Sequence, residues 1–335
     1  MQAMVLHKMG GPLTCEIVPQ PIPEADELLV QVEACGVCRT DLHILKGDLP
    51  LPVIPQILGH QIVGKVIQMG KTVSNYTIGD RVGIPWLAST CGICSYCKEG
   101  RENLCDDALF TGYHKMGGFA EYTTCKAAYA IALPHNVEPT SLAPLLCAGL
   151  IGFRAYKKIK HSSSIGFYGF GSAAHILLQI AVAEGKKIFV FTRPSDIEGK
   201  KLALELGATW VGNSNELPPK KLDAALVFAP KGDCMTWALK ALNKGGICVS
   251  AGIHMTDIPS FPYQDLFFEK TLTCVSHLTR DDAKDFFKTI LKHPVSTTVH
   301  TYPLKDANQA LIDLEEGNKK GSFVLQIQKN NVLNF

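Results

Sequence analysis

SSSIGFYGFGSAAHILLQIAVAEG, residues 162–185, reads as a buried strand, a glycine turn and a helix. Aromatic and branched side chains fill the first part, Gly169 and Gly171 break it, and the following apolar residues recur at helical spacing. Gly-x-Gly-x-x-small is a weak pattern alone, but between a strand and a helix it describes a dinucleotide turn. Gly169 permits the tight turn, Gly171 lets backbone approach a pyrophosphate, and Ala174 lets the helix pack closely on the strand. The helix N-terminus then faces the phosphates.

The rhythm continues downstream. IFVFTR (188–193) is a strand, DIEGKKLALELGA (196–208) a helix, LDAALVFAP (222–230) a strand and CMTWALKAL (234–242) a helix. GICVSAGI (246–253) and TLTCVSHL (271–278) are further strands. This alternation predicts an α/β, doubly wound parallel sheet over residues 149–278. Upstream, SLAPLLCAGLIGFRAYKKI (141–159) has helical spacing, whereas the first 135 or so residues alternate short apolar segments with Pro and Gly and read as one mostly β unit. The C-terminal FVLQI strand, with no parallel partner to follow, is assigned back to that unit, so residues 1–148 and 279–335 form one domain.

A chain of 335 residues suits two domains. Lys and Arg number 33 against 31 Asp and Glu, with no long run of one sign, so neither a nucleic-acid surface nor an acidic tail is expected. No apolar run approaches the roughly 20 residues of a membrane span, and the N-terminus lacks signal-peptide features. The twelve cysteines therefore fit a reducing cytoplasm and metal chemistry better than secretion.

Residues 91–105, CGICSYCKEGRENLC, carry Cys91, Cys94, Cys97 and Cys105 with glycine turns between them. The spacing suits four thiolates closing a tetrahedron around Zn²⁺, a structural site with no open position. Two disulfides or a redox Cys-x-x-Cys pair are the competing readings. A second cluster, CGVCRTDLH (35–43), packs thiols, a hydroxyl, a carboxylate and an imidazole into one segment; Gly59-His60 and Cys147 lie elsewhere. Two thiolates and an imidazole with a vacant fourth position would make a catalytic zinc.

Taken together, CGVCRTDLH, LGHQIVG, the four-cysteine loop, LLCAG and the glycine turn resemble, in order and spacing, the zinc-dependent alcohol dehydrogenases of the medium-chain dehydrogenase/reductase superfamily, over essentially the whole chain. The resemblance implies a Rossmann nucleotide domain beside a GroES-like catalytic domain. It implies two zinc ions per chain: Cys38, His60 and Cys147 match the catalytic ligands, and Cys91, Cys94, Cys97 and Cys105 the structural ones. Thr40 and His43 match a proton relay, and Asp41 the carboxylate that orients the ligand histidine. The implied reaction is reversible hydride transfer between a small alcohol or aldehyde and a nicotinamide cofactor, in a homodimer or homotetramer joined through the edge strand of the nucleotide domain.

The match has departures. Gln61 stands where relatives commonly carry glutamate, and Ser322 where many carry an arginine toward the pyrophosphate, a role left to Arg39 or a neighbouring lysine. At the end of the second nucleotide strand, where an acidic residue would grip the ribose of NAD, stand Thr192 and Arg193. NADP(H) is therefore favoured, with NAD(H) left open because Asp196 follows shortly after. Trp86 lies where relatives place an aromatic over the substrate, with Leu49 near the same pocket, which favours small primary alcohols. The alternatives are a zinc-free enoyl or quinone reductase of the same superfamily and a non-catalytic nucleotide-binding protein.

Overall fold

The computed structural model describes residues 1–317 and 319–327; the expected C-terminal domain segment thus extends, at 318 and 328–335, outside the described residues. The chain forms two compact units. The first comprises Met1–Cys147, Thr279–Asp281 and the described residues from Thr297 onward; the second comprises Ala148–Leu278 and Asp282–Ser296.

The long strand Glu27–Val37 organises the first unit. Its apolar run is buried except at Gln31 and Glu33, as befits a strand covered on both faces. It pairs antiparallel with Ile62–Met69, Tyr122–Lys126 and Ser322–Gln326. Helix Arg39–Lys46 starts directly after it. The FVLQI strand does join this unit, but it has a parallel partner after all, Val299–Pro303. Helix Ala307–Glu316 between these two strands supplies the crossover that a parallel pair needs. Ser322 is the first residue of the final strand, buried, with its N–H donating to the Thr298 carbonyl.

In the second unit six strands are all parallel, in spatial order Trp210–Asn213, Lys187–Thr192, Ser164–Tyr168, Leu222–Val227, Leu242–Ser250, Thr271–Cys274. The strand order reverses beside Ser164–Tyr168, so the glycine turn after Tyr168 opens at the crevice where doubly wound sheets bind ligands. Strand Trp210–Asn213 escaped the sequence reading because only one of its four residues is buried and it has no apolar run. Beneath the sheet, Tyr168 stacks on Phe191 at 4.1 Å among buried Phe189, Leu222, Met235 and Leu239. Each such side chain contributes about 1.5–3 kcal/mol by burial.

Two boundaries differ from expectation. Residues 282–296 belong to the second unit rather than the first. The reason is a charged and aromatic seam. On helix Arg280–Lys292, Asp282 pairs with Arg154 and lies 3.1 Å from Lys157, Asp285 lies 2.6 Å from Lys157, and Phe286 meets Phe153 at 5.4 Å. The predicted helical run 141–159 is broken: helix Pro139–Leu142 and the 3₁₀ turn Ala143–Leu146 end at Cys147, whose φ of −130° and ψ of −69° are non-helical, before helix Ala148–Lys157 begins. No helix among the described residues is long and apolar enough to cross a membrane.

Candidate active site

Three segments of the first unit bring Cys38, His60 and Cys147 together, their ligand atoms all within 4.8 Å of one another. Cys38 caps helix Arg39–Lys46, its Sγ accepting from the Thr40 N–H at 3.4 Å. His60 follows Gly59, whose φ of +95° suits glycine and whose added Cβ would lie 2.4 Å from the Phe119 ring. The imidazole is fully buried, with Nε2 3.1 Å from Cys38 Sγ. Cys147 sits at the helix break. Cys38 and Cys147 are half-buried.

Asp41 ties two of these segments together. Fully buried, it accepts from the Cys38 N–H through Oδ2 at 2.8 Å and from the Gly59 N–H through Oδ1 at 3.2 Å, and Oδ1 lies 3.3 Å from His60 Nδ1. Nδ1 makes no hydrogen bond among the described residues, so the carboxylate faces the ring as a neighbouring charge on the side away from the thiols. The Cys147 thiol donates toward Cys38 and, against the cost of burial, holds the Cys38 thiol well below its ordinary value; Cys147 itself is raised. Burial pushes the Asp41 carboxyl up. For His60, burial disfavours the imidazolium, yet the charges on Cys38 and Asp41 outweigh it and raise the ring.

Thr40 is buried on the first helical turn. His43 is half-exposed and faces Asp48, with 2.8 Å from Nδ1 to Oδ2. Asp48 was missed because nothing in a loop aspartate five residues on marks it as a histidine partner. Trp86 is buried with its ring edge-on to His60 at 5.0 Å and stacked on Phe110 at 5.1 Å, which makes it part of the wall behind the imidazole. Leu49 is half-buried, and its N–H donates to the His43 carbonyl. Gln61 is buried, its carbonyl accepting from Gly36.

Cys91, Cys94, Cys97 and Cys105 form the second cluster, again with every ligand atom within 4.8 Å of the others. The Cys94 N–H donates to Cys91 Sγ at 3.4 Å and the Cys91 N–H to Cys105 Sγ at 3.5 Å. With these contacts the backbone hydrogen bonds to Cys91 lower its thiol to about 7, whereas burial raises Cys105 to about 12. Zinc–thiolate bonds of about 2.3 Å in a tetrahedron put sulfurs roughly 3.8 Å apart; Cys91 Sγ lies 3.5 Å from Cys105 Sγ and 4.0 Å from Cys97 Sγ, and Cys38 Sγ lies 3.1 Å from His60 Nε2. Both donor sets therefore fit Zn²⁺. All twelve cysteines are free thiols, which excludes the disulfide reading of the loop in this structure.

In the second unit Gly169 has φ of +90°, and a Cβ there would lie 2.8 Å from the Ala229 nitrogen. Gly171 precedes helix Ser172–Ala183, and a Cβ there would meet nothing within 4 Å. Ala174 is fully buried on that helix. Thr192 is buried at the end of its strand, its Oγ1 donating to the Arg193 carbonyl at 3.2 Å; Arg193 is exposed. Asp196 caps helix Ile197–Glu205 by accepting from the Gly199 N–H at 2.9 Å. Arg39, on the first unit, is exposed.

Residues 24–135 match the family model for the alcohol dehydrogenase GroES-like domain. The chain is similar to a probable alcohol dehydrogenase, AdhA, of Mycobacterium tuberculosis (strain CDC 1551 / Oshkosh), 47% identical over 95% of this chain and 93% of the relative. An alcohol dehydrogenase of Geobacillus stearothermophilus is 36% identical over 98% of this chain and all of its own length. Among solved structures, acetophenone reductase from Geotrichum candidum NBRC 4597, in complex with NAD, is 28% identical with a TM-score of 0.85, covering 97% of this chain and 96% of that one. A metal-type donor set in a GroES-like unit, a doubly wound sheet and full-length relatives place this chain in the alcohol dehydrogenase family, within the zinc-type medium-chain dehydrogenase/reductase superfamily.

Proposed function

We propose that this alcohol dehydrogenase holds two zinc ions, one at Cys38, His60 and Cys147 and one at Cys91, Cys94, Cys97 and Cys105, and interconverts small primary alcohols and aldehydes with a nicotinamide cofactor, NADP(H) preferred. The observation that carries this reading is the pair of donor sets, two thiols and an imidazole in one, which leaves a fourth position for a ligand, and four thiols in the other, each with its ligand atoms within 4.8 Å. Zinc held by Cys38, His60 and Cys147 would supply Lewis acidity toward an alcohol or carbonyl oxygen.

The chain's own residues do the rest. Asp41 faces the His60 ring as a neighbouring charge and anchors the Cys38 and Gly59 backbone. The Thr40 hydroxyl, able to donate and accept, is assigned the first proton transfer, and His43, steadied by Asp48, the last before water. Trp86 walls the pocket against bulky substrates. Gly169, Gly171 and the helix starting at Ser172 are assigned to the pyrophosphate. A nicotinamide ligand is supported by the NAD complex of the similar reductase. The NADP preference rests on Arg193, exposed where a ribose would arrive, and on Asp196, whose carboxylate is engaged as a helix cap.

A steady-state survey of short alcohols and aldehydes with both cofactors, beside zinc counting by native mass spectrometry, tests the reading. Two zinc ions and turnover are expected; a metal-free, inactive chain would overturn it. Arg193→Ala should raise KM for NADP(H) about tenfold or more, the worth of a charge-assisted phosphate contact, while KM for NAD(H) barely moves. Equal effects on both cofactors would remove Arg193 from specificity.

A homo-oligomer built on the second unit is part of the proposal. Strand Thr271–Cys274 is an edge strand, and Tyr263, Phe267, Ile253 and Ile258 are 71%, 54%, 44% and 44% exposed nearby in sequence. Open edges and apolar patches together favour association. Light scattering should give two or four copies, and Phe267→Asp with Cys274→Arg should release smaller species; a wild-type monomer at micromolar concentration would refute the proposal.

A further inference from the structure

The lobe of residues 91–105 has no apolar core. Ile93 is 75% exposed and Leu104 40% exposed, and its regular structure is one four-residue helix and one 3₁₀ turn. Its buried residues are instead Glu102, Asn103 and Cys105. A buried carboxylate costs several kcal/mol unless it is paired and hydrogen-bonded, so Glu102 marks where the lobe is fastened.

Its partner is Arg280. The Glu102 carboxylate accepts from the Arg280 backbone N–H at 2.8 Å, from Nε at 3.0 Å through both oxygens, and from Nη2 at 2.6 Å. Burial pushes the Glu102 carboxyl up, but these bonds and the guanidinium charge outweigh it and leave it below the ordinary range. The same guanidinium lies 4.7 Å over the Tyr129 ring. The Tyr129 hydroxyl in turn accepts from the Thr90 N–H at 3.0 Å and shares a hydrogen bond with Thr90 Oγ1 at 2.7 Å. Thr90 immediately precedes the first cysteine of the lobe, and Glu102 stands three residues before the last, its carbonyl accepting from the Cys105 N–H at 3.1 Å. One arginine thus grips both ends of the cysteine loop.

We propose that Glu102, Arg280 and Tyr129 form a latch that holds the two ends of the lobe in register, so that a metal ion enters four thiols already brought together. These are positioning residues, and the inference rests on the reading of the lobe as a zinc site. A loop closed in advance loses less conformational freedom on binding, which appears as affinity. In the full-length protein, stripped of metal and carrying Cys38→Ser so that the lobe dominates the signal, cobalt(II) is titrated and the thiolate-to-cobalt absorbance followed.

Glu102→Gln and Arg280→Gln should each weaken lobe affinity about tenfold, the scale for losing an outer partner of a metal site. The double variant should be no weaker than Arg280→Gln alone, because that variant already removes the contact that Glu102→Gln weakens. Tyr129→Phe, which keeps the ring under the guanidinium and loses the hydroxyl, should weaken binding in the same direction by a smaller factor and serves if the charge variants fail to fold. In the Cys38-containing protein, zinc at Cys38, His60 and Cys147 should be retained. Variants that match the parent's lobe affinity, or losses that add, would overturn the latch. A parent that takes up no cobalt in the lobe would overturn the zinc reading itself, and the latch with it.

Discussion

Cys38→Ser is expected to lower kcat with every alcohol by about a thousandfold, the rate equivalent of losing about 4 kcal/mol of electrostatic stabilisation at the reacting oxygen. Serine is the discriminating replacement. Cys38 has two structural duties: its side chain caps helix Arg39–Lys46, and its N–H is held by Asp41. Serine is a good N-cap and keeps the N–H, so both duties survive the exchange. What is lost is the thiolate, a soft anionic donor that Cys147 and His60 favour at this position. Far-ultraviolet circular dichroism and the thermal midpoint should stay near the parent values while metal analysis finds one zinc instead of two. A variant that turns over like the parent would end the assignment of the three-donor site to Cys38.

Gly169→Ala should strike the other half of the chemistry. At φ of +90° an alanine is strained, and its Cβ would lie 2.8 Å from the Ala229 nitrogen, an atom of backbone that cannot rotate away. Strain of this kind costs roughly 1–3 kcal/mol before any clash is counted. The expected result is a lower unfolding midpoint and a cofactor dissociation constant raised at least tenfold, read by calorimetric titration. Gly171→Ala is the control that separates fold from ligand. Its φ of −107° suits any residue, and a Cβ there meets nothing within 4 Å, so stability should hold while cofactor affinity alone falls. If Gly171→Ala binds cofactor like the parent, the backbone at that turn does not approach a pyrophosphate.

Why some of this was legible in the chain and some was not has a physical answer. The four-cysteine loop and the Cys38 segment could be read because short-range spacing nearly determines which thiols can converge. The doubly wound sheet could be read because strand and helix periods alternate over more than a hundred residues. Arg280 and Tyr129 could not, since each meets its partner through tertiary folding, Arg280 lying 178 residues from Glu102 and Tyr129 39 from Thr90; Asp48 meets His43 only five residues away, but through a loop turn that no pattern marks. Cys147 lay inside what reads as one helical run, yet the break that frees its sulfur is a matter of backbone angles at a single residue. The placement of residues 282–296 likewise followed from pairs made with Arg154 and Lys157 far upstream, not from any composition shift at the boundary.

The four crossings of the chain between its units bear on how such enzymes can be recombined. An exchange intended to change cofactor preference would take a donor's counterpart of the second unit, and a splice ending at Leu278 would leave the acidic face of Asp282 and Asp285 opposite foreign residues in place of Arg154 and Lys157. The donor stretch must therefore run on to Ser296, but Thr279–Asp281 within it belong to the recipient. Arg280 is the residue that the Glu102 carboxylate bonds, so a chimera that imports a different side chain there inherits a new nucleotide unit together with a cysteine lobe stripped of that contact. Three recipient residues inside a borrowed stretch decide whether the hybrid keeps the ion pair that fastens its cysteine lobe.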